Sequence, residues 1–297
     1  MNKISWSNSI WFFDIDDTLI DTVSTTIPAS EEIRKVFLAK YTPEQAMQVK
    51  NNFNNIFHLM MAGYRVKNAD EWQLVPGGKK AFDKILEDIE NHQIRVKEKY
   101  GTIKKWSREV FVKLAADKAN LSVTPEIVNK AADAYWLILT EQTVVYPHVL
   151  ELMQIIKGYS RPIYLLTSSD GRLRMDEKGQ FDYDPQYSEA FKKNRIELLR
   201  EKGIIFNALS IGDPEDKPNL NFFQKGLKIA EQELGCPINT EHAIMIGDSF
   251  EGDLQVPKER MGFGLVVLFQ KDKIKLKIID DHQIITGNLM EVTRLLN

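Results

Sequence analysis

Short apolar runs, each closed by carboxylates, hydroxyls or glycine, recur along this chain and set its frame. The first is Ile10 to Phe13, followed at once by Asp14, Asp16, Asp17 and Thr18. A run this short, with no polar alternation, fits a strand buried on both faces of a parallel sheet. Runs of the same kind stand at Ile163 to Leu166, Ala208 to Ile211, Ala243 to Ile246 and Leu265 to Phe269. Three of them lead into the turn residues Thr167-Ser168-Ser169, Gly212-Asp213-Pro214 and Gly247-Asp248-Ser249. Helical periodicity fills the gaps at Pro147 to Lys157, Tyr187 to Lys202 and Leu220 to Leu234, the last stopped by Gly235. Strands alternating with helices predict βαβ units and a parallel sheet. Right-handed crossovers would bring all the strand ends to one edge.

The stretch from residue 23 to about 145 differs in kind. It predicts one helix after another, at Glu31 to Ala39, Pro43 to Met61, Gly78 to Lys99, Ser107 to Ala119 and Pro125 to Thr140, with no convincing strand. Thr42-Pro43 and Thr124-Pro125 place a threonine cap before a proline at the first helical position, with Glu44 and Glu126 in the first turn. The expected architecture is therefore α/β: a Rossmann-like parallel-sheet core formed by residues 1–22 and 146–297, with an inserted all-helical domain at 23–145.

Composition narrows the function classes. At 297 residues the chain can form one large or two ordinary domains, and 43% hydrophobic with 27% charged residues is the profile of a soluble globular protein. A net charge of −3 leaves no basic footprint, so nucleic acid is not an expected partner. The single cysteine, Cys236, cannot form an internal disulfide. No apolar run is long enough to span a bilayer and no secretory signal is visible, so a cytoplasmic location without membrane attachment is expected.

Chemistry gathers at the strand ends. Carboxylates as crowded as Asp14 and Asp16 repel one another unless a cation sits among them. Thr167 and Ser168 offer hydroxyls beside backbone N–H groups, a fit for phosphate oxygens. Lys217 stands at the entrance to a helix, and Asp248 and Asp253 follow the fourth run. Phosphoryl transfer through an aspartyl phosphate needs this set. A carboxylate nucleophile is already ionised at neutral pH, so its obstacle is repulsion from a dianionic phosphate. Magnesium and a lysine would neutralise both partners, while a second acid two residues on could serve leaving group and water.

In order, spacing and strand context these four motifs resemble the haloacid dehalogenase superfamily, in its phosphatase-type members with a helical cap inserted after the first motif. Leu19-Ile20-Asp21-Thr22 and Lys217-Pro218-Asn219 with Phe222-Phe223 are similar to that family too. The resemblance implies Asp14 as nucleophile and Asp16 as general acid/base. It implies Mg2+ held by Asp14, the main-chain carbonyl of Asp16, and Asp248. Thr167 and Ser168 would hold the phosphoryl group, Lys217 would tie phosphate to nucleophile, Asp253 would orient Lys217 or metal-bound water, and Thr18 would support the loop. Asp17 reads as a solvated turn residue. The founding dehalogenases lack the second aspartate supplied by Asp16, so its presence favours phosphate chemistry. The implied activity is a magnesium-dependent phosphatase acting on a small phosphorylated metabolite; a phosphomutase, or a non-catalytic binding protein on this fold, stands as the alternative. Oligomeric state is not legible.

Several features stay outside that set. The five histidines show no zinc-type spacing. Phe53, Phe57, Met60, Met61, Tyr135 and Trp136 read as core of the helical block, with Phe57, Met61 and Tyr64 as candidates to face substrate. Arg172-Leu173-Arg174-Met175 and Gln180-Phe181-Asp182-Tyr183 flank Asp176 to Gly179 and predict a β-hairpin. Arg172 and Arg174 would share one face, as part of a solvated ribbon or with Arg172 reaching a second anionic group of the substrate.

Overall fold

A computed structural model of the chain describes residues 4–66, 68–213, 215–273 and 275–296. Pro214 of the expected Gly212-Asp213-Pro214 turn lies outside the described residues. The chain divides into two compact units. One comprises Met1–Val23, Thr143–Ser169 and Lys192–Asn297; the other comprises Ser24–Gln142 and Asp170–Phe191.

The first unit is built on a seven-stranded sheet. From edge to edge its strands are Lys277–Asp280, Gln283–Thr286, Leu265–Phe269, Ala243–Gly247, Ile10–Phe13, Ile163–Ser168 and Ala208–Gly212. Every neighbouring pair is parallel except the first, which is antiparallel. The central strand Ile10–Phe13 is wholly buried, and its two-residue period divides it between two cores. Trp11 and Phe13 join Leu165, Ile244, Ile246 and Val267 on one face. Ile10 and Phe12 join Tyr164, Leu166, Met245 and Val266 on the other. Burial on both faces is what the uniformly apolar run demanded.

The strand order positions the site. After the central strand the chain adds Ile163–Ser168 and Ala208–Gly212 on one side, then Ala243–Gly247 and Leu265–Phe269 on the other. The reversal falls beside Ile10–Phe13, and ligands in open α/β sheets bind outside the carboxyl ends of strands at such a switch point. The edge strand Lys277–Asp280 is exposed throughout, and neither it nor its antiparallel pairing is visible in the apolar pattern.

The second unit carries its own core, in which Phe53, Phe57, Met60, Phe111, Tyr135 and Trp136 are buried. Pro43–Tyr64 starts behind Thr42, which shares a capping box with Gln45. The helix expected from Glu31 begins at Thr22 and passes through Pro28. The helix expected over Gly78 to Lys99 is two, Gly78–Asn91 and Ile94–Tyr100. Gln93 makes the break: its side-chain amide donates to the Lys104 carbonyl at 3.0 Å and accepts from the Lys104 N–H at 2.8 Å. A buried amide that satisfies a backbone segment elsewhere fixes the turn more firmly than helical period can.

The expected boundaries shift: Val23 and residues 143–145 belong to the sheet unit, and a second segment joins the helical one. Residues 170–191, assigned from sequence to the core, pack in the helical unit. Leu173–Met175 pairs antiparallel with Phe181–Tyr183, so the hairpin is present. Leu173, Met175, Phe181 and Tyr183 are all buried in the helical unit's core, so the hairpin is not a solvated ribbon. Two apolar residues on each short strand gain more from that core than from the surface.

Candidate active site

Asp14 follows the central strand and extends its ladder, its N–H donating to the Ile246 carbonyl at 2.9 Å. The residue is 6% exposed. The Thr18 hydroxyl donates to Asp14 Oδ2 at 3.2 Å, closing the loop that the apolar run opens. The Lys217 ammonium donates to Asp14 Oδ1 at 2.5 Å and to Asp253 Oδ1 at 2.7 Å. The second Asp253 oxygen accepts from the Ser249 N–H at 3.0 Å. Gly247 makes this approach possible: a Cβ there would lie 2.4 Å from the Asp253 Cβ. The glycine is needed for proximity rather than for an unusual backbone angle.

Three carboxylates, Asp14, Asp248 and Asp253, place oxygens within 4.8 Å of one another. Burial raises the Asp14 pKa to about 7 against the pull of Lys217, and Asp253 and Asp16 add to the rise. Burial likewise lifts Asp248 well above the usual carboxylate range, helped by Asp253 and Asp14. Burial would lower the Lys217 pKa, but Asp14 and Asp253 outweigh it and the ammonium is held charged. One ammonium against three acids leaves the cluster short of positive charge. Hard, closely spaced carboxylate oxygens are the donor set that Mg2+ takes. Asp14 and Asp248 fit it, and Asp253 stands within the same reach.

Asp16 is placed differently. Its side chain accepts from Lys192 Nζ at 2.5 Å, from Arg195 Nη2, and from the Thr22 hydroxyl at 3.2 Å. Burial would raise its pKa, but the charges of Arg195 and Lys192 overcome this and hold it well below the usual range. Both cations lie on the Pro185–Glu201 helix and are nearly fully buried. Their spacing reads in sequence as a solvated helix face, which is why they were missed; no pattern in one chain marks them.

Asp17 is not a solvated turn residue. Its Oδ1 accepts from the Thr22 and Val23 N–H groups at 3.0 and 3.1 Å, capping the helix that starts there. It sits at φ 58°, a left-handed conformation aspartate tolerates. Thr167 is fully buried at the end of its strand, and its hydroxyl donates to the Ser168 carbonyl at 3.4 Å. Ser168 closes the same strand and is partly exposed. Arg172 lies in the helical unit and is 1% exposed. Its Nε donates to Glu109 at 2.6 Å and its Nη2 to Asp133. Two of its three nitrogens are thus committed inside that unit.

With this geometry in view, the comparisons decide the family. The model of haloacid dehalogenase-like hydrolases matches residues 10–259. The chain belongs to the haloacid dehalogenase-like hydrolases. The match runs from the strand that precedes Asp14 to beyond Asp253, and so covers all four motifs. Among solved structures, a putative β-phosphoglucomutase from Thermotoga maritima is 12% identical, with 97% of this chain and 100% of that one covered and a TM-score of 0.52. A 2-haloacid dehalogenase from Pseudomonas syringae pv. Tomato is 15% identical, with 97% of each chain covered and a TM-score of 0.50. At such identities the likeness concerns the fold. No curated protein sequence matches. As a haloacid dehalogenase-like hydrolase the chain carries hydrolase chemistry. Among the described residues, no helix is long and apolar enough to cross a membrane.

Proposed function

We propose that this hydrolase is a magnesium-dependent phosphatase of a small phosphorylated metabolite, working through an aspartyl phosphate on Asp14. The observation that carries the reading is the Lys217 ammonium shared between Asp14 and Asp253, with Asp248 within carboxylate reach. A lysine so held keeps an anionic nucleophile in place and offsets the charge of an incoming phosphate. Mg2+, held by Asp14, Asp248 and the Asp16 carbonyl, would supply the positive charge that the cluster lacks.

The side chains then divide the work. Asp14 attacks phosphorus with an oxygen that Lys217 orients. Thr167 and Ser168 receive the phosphoryl oxygens. Asp16 protonates the leaving oxygen and later takes a proton from water. Held by Lys192 and Arg195, Asp16 is ionised and can only accept. It must leave these partners and take up a proton from solvent before it can donate that proton to the leaving oxygen. The aspartate at position 16 favours this reading over carbon–halogen cleavage.

The test is a panel of phosphorylated metabolites incubated with the protein and Mg2+, reading free phosphate. Release that depends on the metal and stops in excess chelator is expected. Unchanged release in chelator, or halide release from haloacids with no phosphate released from any member of the panel, would overturn the reading.

A further inference from the structure

The helical unit holds a buried cation that the catalytic reading does not use. Arg108 opens the Arg108–Lys118 helix behind the Ser107 cap and is 6% exposed. Four rings surround its guanidinium: Phe57, Phe111, Tyr135 and Trp136 lie with centroids 5.1, 5.6, 5.5 and 5.4 Å from its Cζ. Its Nη1 donates to the Trp106 carbonyl at 2.6 Å. Its Nε is buried without a hydrogen-bond partner, and among the described residues no carboxylate pairs with it.

A buried guanidinium without an anion is costly, and cation–π contacts offset that cost only in part. The Nε–Nη2 edge is the planar fork that matches both oxygens of a carboxylate or phosphate. A second observation points the same way. Arg172, fixed by Glu109 and Asp133, also lies beside the Trp136 ring, at 5.7 Å, and its Nη1 is buried and unpartnered. Two guanidinium groups beside one indole therefore each keep a buried donor without a hydrogen-bond partner. Arg174 brings a third guanidinium to Asp133, so the group holds three guanidiniums and two carboxylates.

We propose that Arg108, with Arg172 beside the same Trp136 ring, forms a binding site within the helical unit for the oxyanion of a small organic acid or phosphate. The fork supplies the paired hydrogen bonds, and the aromatic walls exclude water and suit an organic body attached to the anion. The proposal does not rest on the phosphatase reading, because it concerns residues of the helical unit alone.

The test is thermal unfolding of the full chain titrated with inorganic phosphate and, separately, with succinate. Wild type, Arg108→Met and Lys217→Ala are each compared with themselves without anion, so baseline stability does not enter. At least one anion is expected to raise Tm in wild type. That response should survive Lys217→Ala, which disturbs only the core cluster, and weaken at least tenfold in apparent Kd in Arg108→Met. The arm that responds identifies carboxylate or phosphate as the favoured group. If Arg108→Met does not fold, Arg108→Lys keeps the charge without the fork, and its affinity should fall several-fold. No response in wild type, a response equal in wild type and the Arg108 variant, or one lost with Lys217 alone would overturn the site.

Discussion

Lys217 and Arg172 are both buried cations held by two carboxylates, yet their surroundings carry opposite surpluses. Around Lys217 stand Asp14, Asp253 and Asp248, three acids to one base. Around Arg172 stand Glu109 and Asp133, with Arg174 on Asp133 and Arg108 close by, three bases to two acids. Neither cluster balances its own charge. The excess acid around Lys217 suits a metal cation, and the excess base around Arg172 suits an anion. A buried ion pair alone is weak evidence for function; the sign of what remains after pairing is more telling.

The sharpest way to break this comparison is at Asp14. Asp14→Asn keeps the shape and removes the nucleophilic charge, so phosphate release should fall by about 10⁴-fold or more. Full turnover by that variant would end the aspartyl-phosphate mechanism. Next in size is Asp16 against its neighbour. Asp16→Asn should cost about 10²–10⁴-fold in kcat, whereas Asp17→Asn keeps an oxygen to cap the Thr22 helix and should retain most activity. Equal losses at the two positions would show that the assignment of acid/base to position 16 is wrong.

On the helical side the expected effect is on stability. Arg172→Ala leaves Glu109 buried without its cation, and removal of one partner from such a pair costs about 3–5 kcal/mol. Urea unfolding should record the loss. A rise in KM for the native substrate at undiminished stability would instead make Arg172 a substrate contact. The smallest effect concerns His92, whose Nδ1 lies 2.9 Å from the Asp88 carbonyl and whose Nε2 lies 3.4 Å from Asp117. The bond to Asp117 raises its pKa above 6.5, outweighing burial and the nearby Lys113. The protonated ring is the form that serves both partners. Its contribution is therefore complete below about pH 6.5 and is lost as pH rises through the raised value. Unfolding of wild type should show a decline of roughly 1 kcal/mol or less across that window. Turnover measured apart from stability should not follow it, and His92→Gln should flatten the decline.

Much of the sheet unit was legible because each central strand announces itself twice, by an unbroken apolar run and by the polar residue that ends it. Asp14 and Asp248 were readable for that reason, and Lys217 as a lysine at the entrance to a helix. Lys192 and Arg195 were not, because a basic helix face looks the same in sequence whether it meets water or a carboxylate. Arg108 and Glu109 were hidden likewise, as adjacent charges at a helix start are ordinary dipole and cap chemistry. The Gly78–Asn91 helix ends where Gln93 satisfies the distant Lys104 backbone, a tertiary bond that local period cannot anticipate. Thr22–Leu38 begins nine residues before the expected Glu31 and contains Pro28, a residue that interior helical positions disfavour.

The division into units means that the polypeptide crosses from one to the other four times, at 23/24, 142/143, 169/170 and 191/192. The helical unit is therefore two separate excursions, and the shorter one consists largely of the hairpin. Excising only Ser24–Gln142 would strip the cover from Leu173, Met175, Phe181 and Tyr183 and leave a greasy ribbon prone to self-association. A minimal sheet domain requires both excursions to be replaced by short polar linkers. By the same logic, exchange of the helical unit between relatives preserves its core only when both segments travel together.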